Sequence, residues 1–183
     1  MSYFALLIGK LLRFCLNVFG RGSSLPGKIA LKIDENILSK FDFPSLVIFV
    51  TGTNGKTSTT HYLSNILSEA QYKTMTNLAG ANLVQGIVTQ ALEYSSFNFT
   101  IQADAVVLEV DEATLPNIIE DIKPSHILML NLFPDQEDRF GSVEELAIKL
   151  NKALVTDSKL ILNANDPRLA WIGESHPEFL LSA

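Results

Sequence analysis

Apolar positions along the chain change period repeatedly. Leu46-Val47-Ile48-Phe49-Val50 and Ala105-Val106-Val107-Leu108 are unbroken apolar runs, the pattern of strands buried on both faces. Between and beyond them the spacing turns helical. The pattern predicts strand 46–51, helix 56–71, a short strand at 73–76, helix 85–95, strand 104–110, helix 113–122, strand 125–130, helix 142–155, strand 158–162 and a short helix at 166–173. Phe179-Leu180-Leu181 begins another strand. Strands alternating with helices predict an α/β fold: a mostly parallel sheet with helices on both faces.

Ahead of the first strand, Phe4, Leu7, Ile8, Leu11, Cys15, Leu16 and Phe19 recur at helical spacing, with Lys10, Arg13 and Asn17 on the remaining arc. This predicts an N-terminal amphipathic helix. Lys10 and Arg13 interrupt it short of the ~20 apolar residues of a membrane span, and no small-residue cleavage site follows. Two readings stay open: a helix packed on its own protein, or a basic interfacial helix in peripheral membrane contact. Glycines, serines and Pro26 between Gly20 and Gly27 then read as a connecting loop. Residues 1–44 therefore form a helix and connecting segment, and 45–183 the domain. The alternation stops at Ala183 before the pattern closes, so the domain is expected to be incomplete at its C-terminus.

With 183 residues and 47% hydrophobic content, the chain is long enough for one α/β domain with a sizeable core. A net charge of −6 without clustered Lys and Arg excludes a nucleic-acid-binding surface. The single cysteine, Cys15, can form neither an internal disulfide nor a metal site alone, which fits a reducing, cytoplasmic compartment. An interfacial helix would place the chain at the inner face of the membrane.

The most informative stretch is Thr51-Gly52-Thr53-Asn54-Gly55-Lys56-Thr57-Ser58, which joins a buried strand to a helix. The free N–H groups of a first helical turn suit an anion. Lys56 would supply charge for β- and γ-phosphate oxygens, and the Thr57 hydroxyl a ligand for Mg²⁺. Gly52, Thr53, Asn54, Gly55 and Ser58 would shape the loop. The strict pattern G-x-x-x-x-G-K-[ST] would need glycine where Val50 stands, so this is a variant phosphate loop.

Ligands of parallel α/β sheets collect at the carboxyl ends of strands, which singles out three further places. Glu109 ends a buried strand, placed to reach a Mg²⁺ held by Thr57; Asp111 and Glu112 after it read equally as caps of the next helix. Asn131-Leu132-Phe133-Pro134-Asp135-Gln136-Glu137-Asp138-Arg139-Phe140-Gly141 gathers acids around one arginine, as a metal-phosphate environment or a solvated loop would. In Asn163-Ala164-Asn165-Asp166-Pro167, Asn163 suits the edge of an adenine and Asp166 the cap of a helix begun by Pro167. His61, His126 and His176 match no motif and receive no chemistry.

In this order the four loops resemble the ATP-binding central domain of the Mur ligase superfamily over about residues 46 to 172. The resemblance implies that Gly52 to Ser58 bind ATP phosphates with Lys56 as the catalytic cation. It also implies that Thr57 and Glu109 hold Mg²⁺, that Asn163 and Asp166 belong to the adenine turn, and that Asn77, Asn82, Asp135 and Arg139 face the substrate. Within the superfamily, Arg21 to Leu31, Glu109 to Ala113, and Asn131-Leu132-Phe133 with Asp135-Gln136 and Asp138-Arg139 look most like the MurT group, synthetase subunits of lipid II isoglutaminyl synthases. Many Mur ligases carry a histidine where this chain has Gln136, and this moves the resemblance away from the amino-acid-adding ligases. It implies ATP-dependent amidation of the D-glutamate α-carboxylate of lipid II through an acyl phosphate, with ammonia from a GatD-like glutaminase. The group also carries a four-cysteine Zn²⁺ ribbon and a C-terminal domain with a catalytic acid; this chain has neither, so alone it is expected to be inactive. The rivals are a folylpolyglutamate synthase-like or cyanophycin synthetase-like amino-acid ligase, and a non-catalytic P-loop nucleotide-binding module.

Overall fold

A computed structural model describes residues 1–18, 24–77, 83–134, 142–154, 157–176 and 179–182. The expected α/β alternation is present. Helices α1 (Ser2–Val18) and α2 (Leu25–Ile33) and a 3-10 turn (Leu38–Lys40) precede β1 (Leu46–Thr51). Then come α3 (Lys56–Glu69), β2 (Thr74–Thr76), α4 (Val84–Tyr94), β3 (Ala105–Glu109), α5 (Leu115–Ile122), β4 (His126–Met129), α6 (Val143–Ala153), β5 (Lys159–Asn163), α7 (Pro167–Glu174) and β6 (Phe179–Ser182).

Among the described residues the strands form one six-stranded sheet in the order β2-β3-β1-β4-β5-β6. Every pairing is parallel. β1 lies in the middle, with Val50 opposite Glu109 of β3 on one side and Leu128 of β4 on the other. The chain builds outward from β1 in both directions, so the loops after β1, β3 and β4 converge at one end of the sheet, where doubly wound folds take their ligands.

The two apolar runs behave as their composition requires. Ala105 to Leu108 are all fully buried, as are Phe49 and Val50. On α5, Leu115, Ile118, Ile119 and Ile122 fall at i, i+3, i+4 and i+7 and make one buried stripe. The helix was expected from Ala113; it begins two residues later, because the Asp111 side chain and carbonyl first hold Ala113, Thr114 and Leu115 in a turn.

The orientation of α1 is the reverse of the expected one. Phe4, Leu7 and Leu11 are 57%, 55% and 61% exposed, whereas Ala5, Leu6 and Gly9 are buried. Lys10 and Arg13, expected on the polar arc, turn inward. The Lys10 ammonium donates to the carbonyls of Leu92 and Ser95, and Arg13 pairs with Glu93. The physical reason is where α4 offers room and charge: the Leu92 side chain seats over Gly9, where a Cβ would lie 2.6 Å from its Cδ1, and the carbonyls ending α4 attract the cation. Burial pushes the Lys10 ammonium below its ordinary value. No described helix is long and apolar enough to cross a membrane.

The α2 helix is seated as closely. A Cβ on Gly27 would lie 2.0 Å from the Gln85 carbonyl oxygen, and the Gly27 N–H donates to Thr89 Oγ1 at 2.9 Å. Ala5, Leu6, Ala30 and Ile37 consequently belong to the same apolar cluster as Phe49 and Leu108 of the sheet.

Candidate functional site

The loop between β1 and α3 needs two glycines in the left-handed region: Gly52 has φ +132° and Gly55 φ +88°. At Gly52 the space is closed as well, since a Cβ would come within 2.9 Å of the Asn131 nitrogen. Gly55 is the N-cap of α3 and offers no side chain to satisfy the helix, so the first-turn N–H groups of Lys56, Thr57 and Ser58 have no intrahelical acceptor and point toward the loop.

The segment after β4 clamps this loop from the side. Asn131 accepts from Asn54 N through Oδ1 at 2.9 Å and returns Nδ2 to the Asn54 carbonyl at 3.1 Å. Its own carbonyl accepts from Thr53 N at 3.0 Å. The Phe133 N–H donates to Thr53 Oγ1 at 2.9 Å. Thr53 and Asn54 thereby shape the loop through Asn131, a residue the sequence placed in the third loop without a role. Its one signal was its position directly after a buried strand.

Within the cradle, the Thr57 hydroxyl donates to Glu109 Oε2 at 2.8 Å. Lys56 folds back over the loop, donating to the carbonyls of Gly52 and Thr53, and meets Glu112 Oε2 at 3.3 Å. Glu112 is 8% exposed and spends its carboxylate on this lysine; the sequence had left it between a cap and chemistry. Ser58 stands exposed in the first turn of α3.

Asn77, 2% exposed, exchanges two hydrogen bonds with the backbone of Glu109: Nδ2 to its carbonyl at 2.7 Å, and the Glu109 N–H to Asn77 Oδ1 at 2.8 Å. A side chain so committed fixes the strand end that carries Glu109. Asn163 donates to the Leu130 carbonyl at 2.9 Å and accepts from Asn165 N at 3.0 Å. Asp166 caps α7, accepting from Arg168 N and Leu169 N, and its second oxygen accepts from Leu132 N at 2.7 Å. Asn82, Asp135 and Arg139, with Gly80, Ala81, Gln136 and Asp138, lie outside the described residues.

A cavity of about 350 Å³ opens beside Asn163, walled by Leu128, Leu130, Ile161 and Leu162. A larger one, about 520 Å³, lies at the other end of the strands among Ile119, Lys123, Pro124 and Ser125. It holds none of the candidate residues. The smaller one has the better claim, because it adjoins the carboxyl ends of β4 and β5.

The donor set fits Mg²⁺. Thr57 and Glu109 offer hard oxygen ligands side by side, and Mg²⁺ in nucleotide sites takes one or two protein oxygens and completes its shell with phosphate and water. Among the described residues there is no cluster of three or more His, Cys, Asp or Glu that would hold a metal independently.

Fold and loop together define a doubly wound α/β domain of the P-loop type. The chain belongs to the Mur ligase family, whose middle domain matches residues 50–180. It is 40% identical over 164 residues to the MurT subunit of a glutamine-hydrolyzing lipid II isoglutaminyl synthase of Streptococcus pneumoniae, covering 88% of this chain and 36% of that protein. It is 34% identical to the MurT subunit of Staphylococcus aureus (strain COL), covering 89% and 37%. MurF ligase of Thermotoga maritima, solved with ADP, superposes with a TM-score of 0.62 at 20% identity, covering 85% of this chain and 35% of that one. The chain spans just over a third of the length of the curated relatives it matches.

Proposed function

We propose that this chain is the nucleotide-binding domain of an ATP-dependent amidoligase that converts the α-carboxylate of D-glutamate in the stem peptide of lipid II to an amide. The observation that carries the reading is the Thr57–Glu109 contact at 2.8 Å beside Lys56, in a loop clamped to the end of β4. The relatives add the class of reaction, since they are subunits of glutamine-hydrolyzing lipid II isoglutaminyl synthases.

The chemistry needs such a site because a carboxylate is a poor electrophile and must approach a polyanion. Its oxygen attacks the γ-phosphorus, ADP leaves, and ammonia then displaces phosphate from the acyl phosphate. First-turn N–H groups of α3 bind phosphate oxygens, and Lys56 offsets the charge that moves toward the leaving group. Thr57 and Glu109 would hold Mg²⁺, which neutralises phosphate charge when bound. Asn77 keeps Glu109 in place through its backbone. The cavity beside Asn163 accepts the base, with Asp166 holding the turn behind it. Asn82, Asp135 and Arg139 face the acceptor in this reading. Ammonia comes from a GatD-like glutaminase partner, and the 183 residues alone are not sufficient for turnover.

The test is made on the full-length protein with its glutaminase, ATP, Mg²⁺ and glutamine, read by mass spectrometry of the stem peptide. Amidation is expected, with Lys56→Ala abolishing it in a protein that still melts cooperatively, at a lowered melting temperature because Glu112 loses its partner, and Glu109→Gln displacing the Mg²⁺ titration. Addition of an amino-acid residue would transfer the protein to the amino-acid ligases, and wild-type turnover in a folded Lys56→Ala protein would overturn the phosphate-loop assignment.

A further inference from the structure

Lys56 stands where a cation is hard to keep. It opens α3, at the positive end of the helix dipole, and its side chain is only 12% exposed. Two loop carbonyls take part of its hydrogen-bonding capacity. The formal charge is matched by Glu112, whose side chain is 10% exposed and which lies 56 residues away on the turn after β3. Removing a carboxylate from water costs free energy that a single contact at 3.3 Å on a flexible arm recovers only in part. Packing therefore gives no reason to place an acid here, beside a cradle that receives anions.

The consequence appears when a polyphosphate enters. Phosphate oxygens then compete for the Lys56 ammonium, and Glu112 is left as a negative charge beside a highly negative ligand. Bare polyanion is penalised by that repulsion. A nucleotide accompanied by a divalent cation at Thr57 and Glu109 escapes about half of it, because its net charge is halved. We infer that Glu112 is a positioning residue for Lys56, which holds the ammonium over the loop before the ligand arrives and makes nucleotide binding conditional on the divalent cation. The inference rests on the nucleotide reading of this loop and adds a residue that discriminates between forms of the same ligand.

The experiment measures affinity for ATP by titration calorimetry on the full-length protein, once with excess Mg²⁺ and once with EDTA, for wild type, Glu112→Gln and Glu112→Asp. Glu112→Gln keeps volume and hydrogen-bonding reach but removes the charge. It is expected to strengthen binding of metal-free ATP about tenfold, the effect of one unit charge at ~10 Å in a site of effective dielectric ~20, and to change Mg-ATP binding less than about threefold. Glu112→Asp restores the charge and with it the wild-type preference for Mg-ATP. An unchanged ratio of the two affinities in a folded Glu112→Gln protein, or equal weakening of both, leaves Glu112 only a packing role and overturns the inference, while Mg-ATP binding that is lost in Lys56→Ala keeps the nucleotide reading intact. Loss of the Mg-ATP preference in Glu112→Asp overturns it equally, and serves as the test if the Gln variant does not fold. Failure of wild type to bind ATP in either condition overturns the nucleotide reading itself.

Discussion

Asp166 offers a direct measure of how the site is supported from behind. It is 5% exposed, and its two oxygens accept three backbone N–H groups: Arg168 and Leu169 at the start of α7, and Leu132 after β4. In Asp166→Ala the lost cap costs about 1 kcal/mol. The lost bond from the Leu132 N–H to a charged acceptor, with that buried donor left unpaired, costs about 2 kcal/mol more. The sum, roughly 3 kcal/mol, corresponds to a fall in melting temperature of about 6–12 °C for a domain of this size. Asp166→Asn keeps one acceptor oxygen and turns an NH₂ toward another donor, so it is expected to lose about two thirds as much. Thermal melts and urea titrations of the two variants check this. Leu132 follows Asn131, so loosening it also loosens the loop proposed to bind nucleotide, and on that proposal ATP affinity should fall in step with stability. A melting temperature for Asp166→Ala within about 2 °C of wild type would refute the reasoning and show that these bonds contribute little.

Gly27→Ala places a methyl 2.0 Å from the Gln85 carbonyl oxygen; the gain in helix propensity is overwhelmed by displacement of α2 from α4, and a loss of about 2 kcal/mol or more in a urea titration is expected. Asn131→Ala removes both side-chain bonds to Asn54 but keeps the carbonyl bond to Thr53; it should cost about 1–2 kcal/mol and weaken ATP binding about tenfold by calorimetry, with Asn131→Asp intermediate. Burial holds the His176 imidazole below its ordinary value of 6.5. Between its folded value and 6.5 the unfolded chain binds more protons, so this contribution to stability rises with pH across that window and is lost on acidification; melts of wild type and His176→Gln between pH 5 and 7.5 should show the wild type losing more at the acid end.

What could be read from the sequence was what is local in it. β1 and β3 announce themselves because a strand buried on both faces has no polar positions to interrupt it. The turn between β1 and α3 announces itself because its two glycines must adopt positive φ just ahead of a helix. The same holds for Asp166 before Pro167, where cap and first helical residue are neighbours. The orientation of α1 was not legible in this way. Counting apolar residues selects the greasiest face, but the face that packs is the one whose Gly9 leaves room for the Leu92 side chain and whose Lys10 and Arg13 meet the end of α4.

The partners of the loop escaped for a related reason. Asn54 and Asn131 are 77 residues apart, and Lys56 and Glu112 are 56 apart; only the strand order brings them together. With β1 between β3 and β4, the loop after β1 has one neighbour on each side. The β4 side contributes a neutral amide that fixes the backbone. The β3 side contributes carboxylates that act on charge, Glu109 against Thr57 and Glu112 against Lys56. This division has a physical logic. An amide in place of Glu109 and Glu112 would leave nothing on the β3 side to engage a metal or to hold the lysine before the ligand arrives. The loop sequence thus carries the proposed phosphate contacts, while the residues after the two flanking strands hold the loop's backbone and its lysine in place.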